Sequence, residues 1–565
     1  MSRLATIRPA LQRDAVAAVV LGVQSVPAGL ANGLLAGVNP LAGLYAYLVG
    51  PAAGALVTSS AFMAVQGTGA MAVVIADVPE VHTALDPERA LFTLAVVTGA
   101  IMLVVGLLRL GSIMRFVSNA VMVGFINAVG VNIVLGQLAD LTGYAAEGPN
   151  RIARAIGTFL SPAELHLPSL FVGLLAIVLI VLIGRTRLGA MGLVIAVVAA
   201  SAIPVALGWS GVATIDDLGV TTGTLPLPVL PDPALVPALL LPAISLAFVG
   251  LIQGASISAS FSNPDGRYPD TSRDFTGQGV ANVAAGVFQG MPVGGSLSAT
   301  AIIKHAGAAS RLALLLTSLV MAVVIVVFGD LVGSLAMPSL AGLLIVVGVR
   351  TVKPADLWSV WRTGRIQKVV VTTTFALTLL IPMQYAVLVG VGLSVILHVV
   401  RQSNQVTMKR WELDEEGHPT ETEPPVRLEA HEVVVLQPYG SLFFAAAPVL
   451  ETLLPTPGGA SRGSVVIIRV RGRVELGITF LDLLRRYALS LAAVGSKLVI
   501  VSTSERVEEQ LRVAGITAII GSENVYAGSE RVGAALRRAH ADAEAWVAAR
   551  SAAASEEGDS DDDVG

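Results

Sequence analysis

The sequence predicts an α-helical polytopic membrane protein of fourteen spans, in two seven-span halves of opposite orientation, followed by a small cytoplasmic α/β domain. Three observations carry this. Of 565 residues, 54% are hydrophobic and 13% charged, whereas a soluble chain carries roughly 25% charged residues. Long apolar runs fill residues 1–400 and then stop. Two short glycine-rich runs stand third and tenth in the series, the third place in each half.

Each crossing takes about 20 apolar residues, fewer where an extended piece and a half-helix share the path. The spans fall at 14–35, 39–57, 60–77, 89–108, 113–138, 168–184, 188–208, 236–258, 276–291, 294–306, 311–329, 334–349, 368–382 and 384–400. Charge gives an independent check. With the N-terminus in the cytoplasm, the inner loops hold Arg109, Arg115, Arg185, Arg187, Arg267, Arg273, Lys304, Arg311, Arg350, Lys353, Arg362, Arg365 and Lys368. The outer loops hold Arg89, Arg151 and Arg154 beside several carboxylates. That is the positive-inside bias, and omitting either short span would invert every later loop. An even count returns the C-terminus to the cytoplasm, so the expected location is the inner (plasma) membrane. The start, MSRLATIRPALQRDAV, shows no processing pattern and reads as a cytoplasmic lead-in to the first span.

Several functions are excluded. Without cysteine there are no disulfides, thiolate metal sites or thiol catalysis. H-E-x-x-H, phosphate-cradling loops and any nucleophile–base–orienter set are missing, so neither an enzyme, a cofactor nor an ATP-driven pump is expected. Nothing points to nucleic acid.

The two short spans carry the candidate site. SSAFMAVQGTGAMAVVIAD (59–77) and FQGMPVGGSLSATAIIKHAG (288–307) each open with a polar, glycine-rich piece and continue as a short apolar helix. Paired interrupted segments at matching places mark inverted-repeat transporters. A helix that begins near mid-membrane presents unpaired N–H groups and a positive dipole end, and two such ends make an anion site without lysine or arginine. The expected donors are the N–H groups near Thr68, Gly69 and Ala70, and near Leu297, Ser298 and Ala299. The hydroxyls of Thr68, Ser296, Ser298 and Thr300 could add to them. Tight helix packing through small residues is the competing reading of the same segments. Span one adds Gln24 and Pro27, where the proline should break the helix ladder. Span eight adds Gln253, Ser256 and Ser258; a buried amide needs a partner, either substrate or another helix. No charged residue lies in the middle of these four segments, which favours an anion over a cation.

VPAGLANGLLAGVNPLAGLYAYLVGPAAGALV (26–57), GTGA (67–70), DFTGQGVANVAAGVFQGMPVGGSLSATAIIKHAGAASRLA (274–313) and PSLAGLLIVVG (338–348) closely resemble the SulP family of sulfate permeases and related anion transporters. The resemblance implies a core domain of spans 1–4 and 8–11, a gate domain of spans 5–7 and 12–14, and alternating access, often in a homodimer. Substrates in the family include sulfate, bicarbonate, chloride and some dicarboxylates. Two departures stand out. Many relatives place arginine where this chain has Ala299, and glutamate where it has Gln253, so a fixed cation and a proton carrier are both missing at those positions.

Behind the membrane part, residues 401–430 read as a polar linker, 431–550 as alternating strands and helices, and 551–565 as an acidic disordered tail. The alternating segment looks like a STAS domain, a possible docking point for a cytoplasmic partner. The Asp-Ser-Thr/Ser-Gly motif of many such domains is degraded here to ELGITFL (475–481), keeping only Thr479. Small inorganic or carboxylate anions and membrane lipid are the expected partners. A nucleobase or organic-anion permease and a channel-like anion conductor remain alternatives.

Overall fold

Between helices in lipid the hydrophobic effect is absent, so close backbone approach must hold them together. The glycines of this chain serve that purpose. A Cβ on Gly43 would collide with the carbonyl of Gly29, and one on Gly99 would stand 2.7 Å from the carbonyl of Gly279. The structure is a computed structural model. It describes residues 2–111, 118–186, 191–209, 211–219, 223–383, 385–386, 388–390, 392–393, 396–397, 406–413, 419–440, 442, 447–470, 475–502, 504–528 and 533–561. Arg115, Arg187, His398, the start of the predicted fifth span and parts of the last lie outside the described residues. Two units result, Met1–Val395 and Ile396–Gly565.

The first unit contains α1 (Ser2–Leu35), α2 (Pro40–Val57), β1 (Val65–Gln66), α3 (Gly69–Ala76), α4 (Pro79–Thr83), α5 (Pro87–Leu107), α6 (Asn119–Gly136), α7 (Leu138–Thr142), α8 (Arg151–Leu160), α9 (Leu167–Ile183), α10 (Gly192–Leu207) and α11 (Val236–Ser260). It continues with α12 (Thr271–Val287), β2 (Gly294–Gly295), α13 (Leu297–His305), α14 (Leu312–Val327), α15 (Gly329–Gly333), α16 (Met337–Thr351), α17 (Pro354–Thr363) and α18 (Arg365–Leu380). Among the described residues, five helical stretches are long and apolar enough to cross a membrane unaided: Pro9–Leu35, Pro40–Val57, Pro87–Leu107, Asn119–Thr142 and Pro233–Ser260.

Two sequence expectations change in this unit. α1 runs unbroken through Pro27, because proline removes only one ladder bond and the packing around buried Pro27 supplies the rest. α12 begins five residues before the predicted 276 and ends four before the predicted 291. Its first turns hold the charged Arg273 and Asp274, which hydropathy excludes, and Asp274 is buried with its carboxylate hydrogen-bonded by Ser59, Ser60 and Ser258.

Packing sorts the spans into two bundles. α1, α2, α5, α11, α12, α13 and α14 pack on one another; α6, α9, α10, α16 and α18 form the other set. α3 touches both, through α1 and α11 on one side and α6 on the other.

In the second unit a six-stranded sheet has the order β4-β3-β5-β6-β7-β8, built from β3 (Thr407–Leu413), β4 (Pro419–Thr422), β5 (Val433–Tyr439), β6 (Val465–Arg469), β7 (Lys497–Ser502) and β8 (Val525–Ala527). β5 to β8 are parallel; β3 is antiparallel to both β4 and β5. Its helices are α19 (Ala447–Leu453), α20 (Ile478–Ala493), α21 (Glu505–Val513), α22 (Ile516–Ile520) and α23 (Ala534–Asp561). One face buries Phe480, Leu484 and Leu491 of α20, and the other buries Leu536, Ala539 and Ala543 of α23. Part of the expected linker is therefore sheet: β3 and β4 lie within 401–430 and extend it at one edge. The expected disordered tail also changes, since the alanine-rich run lets α23 continue to Asp561.

Candidate functional site: two opposed half-helices

The chain enters α3 and α13 through extended leads, and these leads pair with each other. Val65 faces Gly295 and Gln66 faces Gly294 in an antiparallel two-stranded sheet. Antiparallel pairing means the two leads run in opposite directions through the unit. The half-helices that follow them therefore start from one shared crossing.

Extended backbone inside a membrane must find partners within the protein. The first lead is held chiefly by Asp274 of α12. Its Oδ1 accepts from Ser59 N at 2.7 Å and Ser60 N at 3.0 Å, while Oδ2 accepts from Ser258 Oγ at 2.7 Å. Ala61 N donates to Asn263 Oδ1 at 2.8 Å, and Ala64 N to Thr300 Oγ1 at 3.1 Å. The second lead is clamped by the same helix, one and two turns further on. Asn282 Oδ1 accepts from Val293 N at 2.8 Å and its Nδ2 donates to Val293 O at 2.6 Å. Gln278 Oε1 accepts from Gly295 N at 2.9 Å, and Ser296 N donates to Ala64 O at 2.9 Å. Asp274, Gln278 and Asn282 are all fully buried. The sequence reading missed this set, although its four-residue spacing puts all three on one helix face.

Each half-helix has its own cap. Thr68 Oγ1 accepts from Met71 N at 3.3 Å, and Ser296 Oγ accepts from Ala299 N at 3.3 Å. Capping at the third position leaves the first two N–H groups of each helix without intrahelical partners. These are Gly69 and Ala70 in α3, and Leu297 and Ser298 in α13. Leu297 is 48% exposed and Ser298 is exposed beside it. Ser298 Oγ lies 3.3 Å from Ser296 Oγ. Gln253 of α11 joins the two helices' surroundings: its Oε1 accepts from Thr68 Oγ1 at 3.2 Å and would lie 3.5 Å from a Cβ on Gly294. A Cβ on Gly69 would meet Ile133 of α6 at 2.8 Å, so the α3 end sits where the two bundles meet. Gln24 is half-buried in α1, with Oε1 buried and unpaired.

Four expected residues have other placements. Thr300 is fully buried, and its hydroxyl donates to Ser296 O at 2.7 Å while accepting from Ala64. Ala299 packs with Ala17, Leu21, Ala61 and Phe62, and its N–H is spent on the cap. Ser256 donates to Ile252 O at 2.9 Å and lines a separate cavity of 520 Å³ with Arg109, Asp270 and Ser272. Pro27 is buried within α1. At the far end of α3, Asp77 pairs with Arg151 at 2.8 Å and accepts from Met383 N at 3.0 Å. Among the described residues no cluster could hold a metal ion.

Fold and site together define a class: a polytopic membrane transporter built around two opposed, interrupted spans. The chain belongs to the sulfate permease family, whose model matches residues 11–374. A probable sulfate transporter of Mycobacterium tuberculosis (strain CDC 1551 / Oshkosh) is 25% identical over 527 residues, 91% of this chain and 93% of that one. Human solute carrier family 26 member 6 is 26% identical over 423 residues, 70% of this chain and 56% of that one. Among solved structures, SLC26A9 superposes with a TM-score of 0.81 at 17% identity, covering 95% of this chain and 91% of that chain. The transmembrane domain of a cyanobacterial bicarbonate transporter, BicA, gives 0.57 at 23% identity, over 68% and 97%. These relatives bear transporter names, not enzyme names.

Proposed function

We propose that the protein carries small anions of the sulfate, bicarbonate or chloride class across the inner membrane by alternating access, binding the anion between the starts of α3 and α13. The observation that carries this reading is the antiparallel β1–β2 crossing, from which two capped helix ends emerge with two unpaired N–H groups each. Helix ends of this kind favour negative charge. Gln24 and the hydroxyls of Ser296 and Ser298 complete the donor set.

The bundle containing α1, α2 and α11–α14 serves as the moving core and the one built on α6, α9, α16 and α18 as the gate. The Gly69–Ile133 approach supports a site at their boundary. The second unit is a STAS-like module, acting as scaffold and dimer organiser more than as a switch, with both termini cytoplasmic. The experiment is uptake of a labelled anion panel into proteoliposomes, followed by Ser298→Ala and Ser296→Ala on the anion carried. If neither substitution changes affinity or rate, the site has been misplaced.

A further inference from the structure

The hairpin joining α16 to α18 lies outside the site described above. α17 buries none of its residues, although it packs along α18 and α6. Trp358 and Trp361 stack with ring centroids 5.3 Å apart and planes at 24°, yet remain 57% and 36% exposed. Lys368 Nζ sits 3.8 Å over the Trp361 ring, and Trp361 Nε1 donates to Thr372 Oγ1 at 3.2 Å. The aromatic pair is thus fixed while facing outward. Ile366 and Val369 extend the exposed apolar surface. Arg350, Lys353, Arg362, Arg365 and Lys368 are all exposed around it, against a single carboxylate, Asp356, within 350–368. None of the five cations has an ion-pair partner among the described residues.

We propose that this hairpin docks anionic phospholipid headgroups of the bilayer that holds the protein. α17 connects the ends of two spans, which puts it at the membrane surface. Stacked tryptophans are suited to the depth where chain meets headgroup, and guanidinium groups can grip phosphate bidentately. A surface with five cations and one anion complements an anionic leaflet. The contact anchors the bundle of α6, α16 and α18 in the bilayer. It stands independently of which anion is carried.

The test uses the full-length protein in nanodiscs of equimolar phosphatidylglycerol and phosphatidylcholine, with retained lipid counted by mass spectrometry during detergent washing. Wild type is expected to retain phosphatidylglycerol about tenfold over phosphatidylcholine. Arg362→Gln/Arg365→Gln/Lys368→Gln should bring the ratio close to one, while Arg485→Gln/Arg486→Gln in the second unit leaves it unchanged. A second reading needs no variant: wild-type tryptophan fluorescence should be quenched more by brominated phosphatidylglycerol than by brominated phosphatidylcholine, and about 0.5 M salt should shrink the difference. Equal retention by wild type, or a triple variant with the wild-type ratio, overturns the proposal. So does a triple variant that loses dimer but keeps the lipid preference, which would make the surface a protein contact.

Discussion

Replacing Leu297 by proline deletes one proposed anion donor and little else. Leu297 is the first residue of α13, where proline is well tolerated because its missing N–H has no intrahelical acceptor. The residue before a proline must be extended, and Ser296 already is, with φ −96° and ψ 109°. The 48% exposure of Leu297 leaves room for the ring. A hydrogen bond to a charged partner contributes about 1.5–3 kcal/mol, so Leu297→Pro should weaken anion binding about 10- to 150-fold. Leu297→Ala keeps the N–H and alters only an exposed side chain, so its effect should stay within about twofold. Binding is measured by calorimetry on detergent-purified protein with the transported anion, and folding by the melting midpoint. Folded Leu297→Pro protein that binds as wild type does would refute the donor role of this end. Equal losses in Leu297→Pro and Leu297→Ala would refute it too, because the side chain would then be responsible.

Asn282→Ala should leave the buried N–H and C=O of Val293 unpaired, at about 1–3 kcal/mol each; a clear fall in the thermal midpoint checks this, and an unchanged midpoint contradicts the clamp. Ser256→Ala should leave uptake within about twofold of wild type, since that hydroxyl is spent on Ile252 O. Ser298→Ala should reduce anion affinity about tenfold, and reversal of these two results would place the site in the other cavity. Arg151→Ala strips the cation from a largely buried pair and should destabilise by up to about 3–5 kcal/mol, seen as earlier unfolding in a fluorescence-detected melt.

The interrupted spans were legible because glycine and small polar residues break a hydropathy run locally. What held them was not, because Asp274, Gln278 and Asn282 act on segments hundreds of residues or one span away, and their spacing names no partner. Helix phase was equally hidden. Naming Leu297, Ser298 and Ala299 as the helix start leaves open which way Ser298, Ala299 and Thr300 turn, and only Ser298 turns outward. Prolines and acidic residues made 401–430 look like linker, yet an edge strand tolerates both. β4, at the sheet edge, uses that tolerance with Pro419 and Glu421.

Anomalous or density difference mapping with selenate or bromide bound tests the central claim most directly. The account predicts a single heavy-anion peak within hydrogen-bonding reach, about 3–3.5 Å, of the N–H groups of Gly69 or Ala70 and of Leu297 or Ser298. A peak in the cavity beside Arg109 and Ser256, with none between the half-helices in protein that still transports, would contradict it.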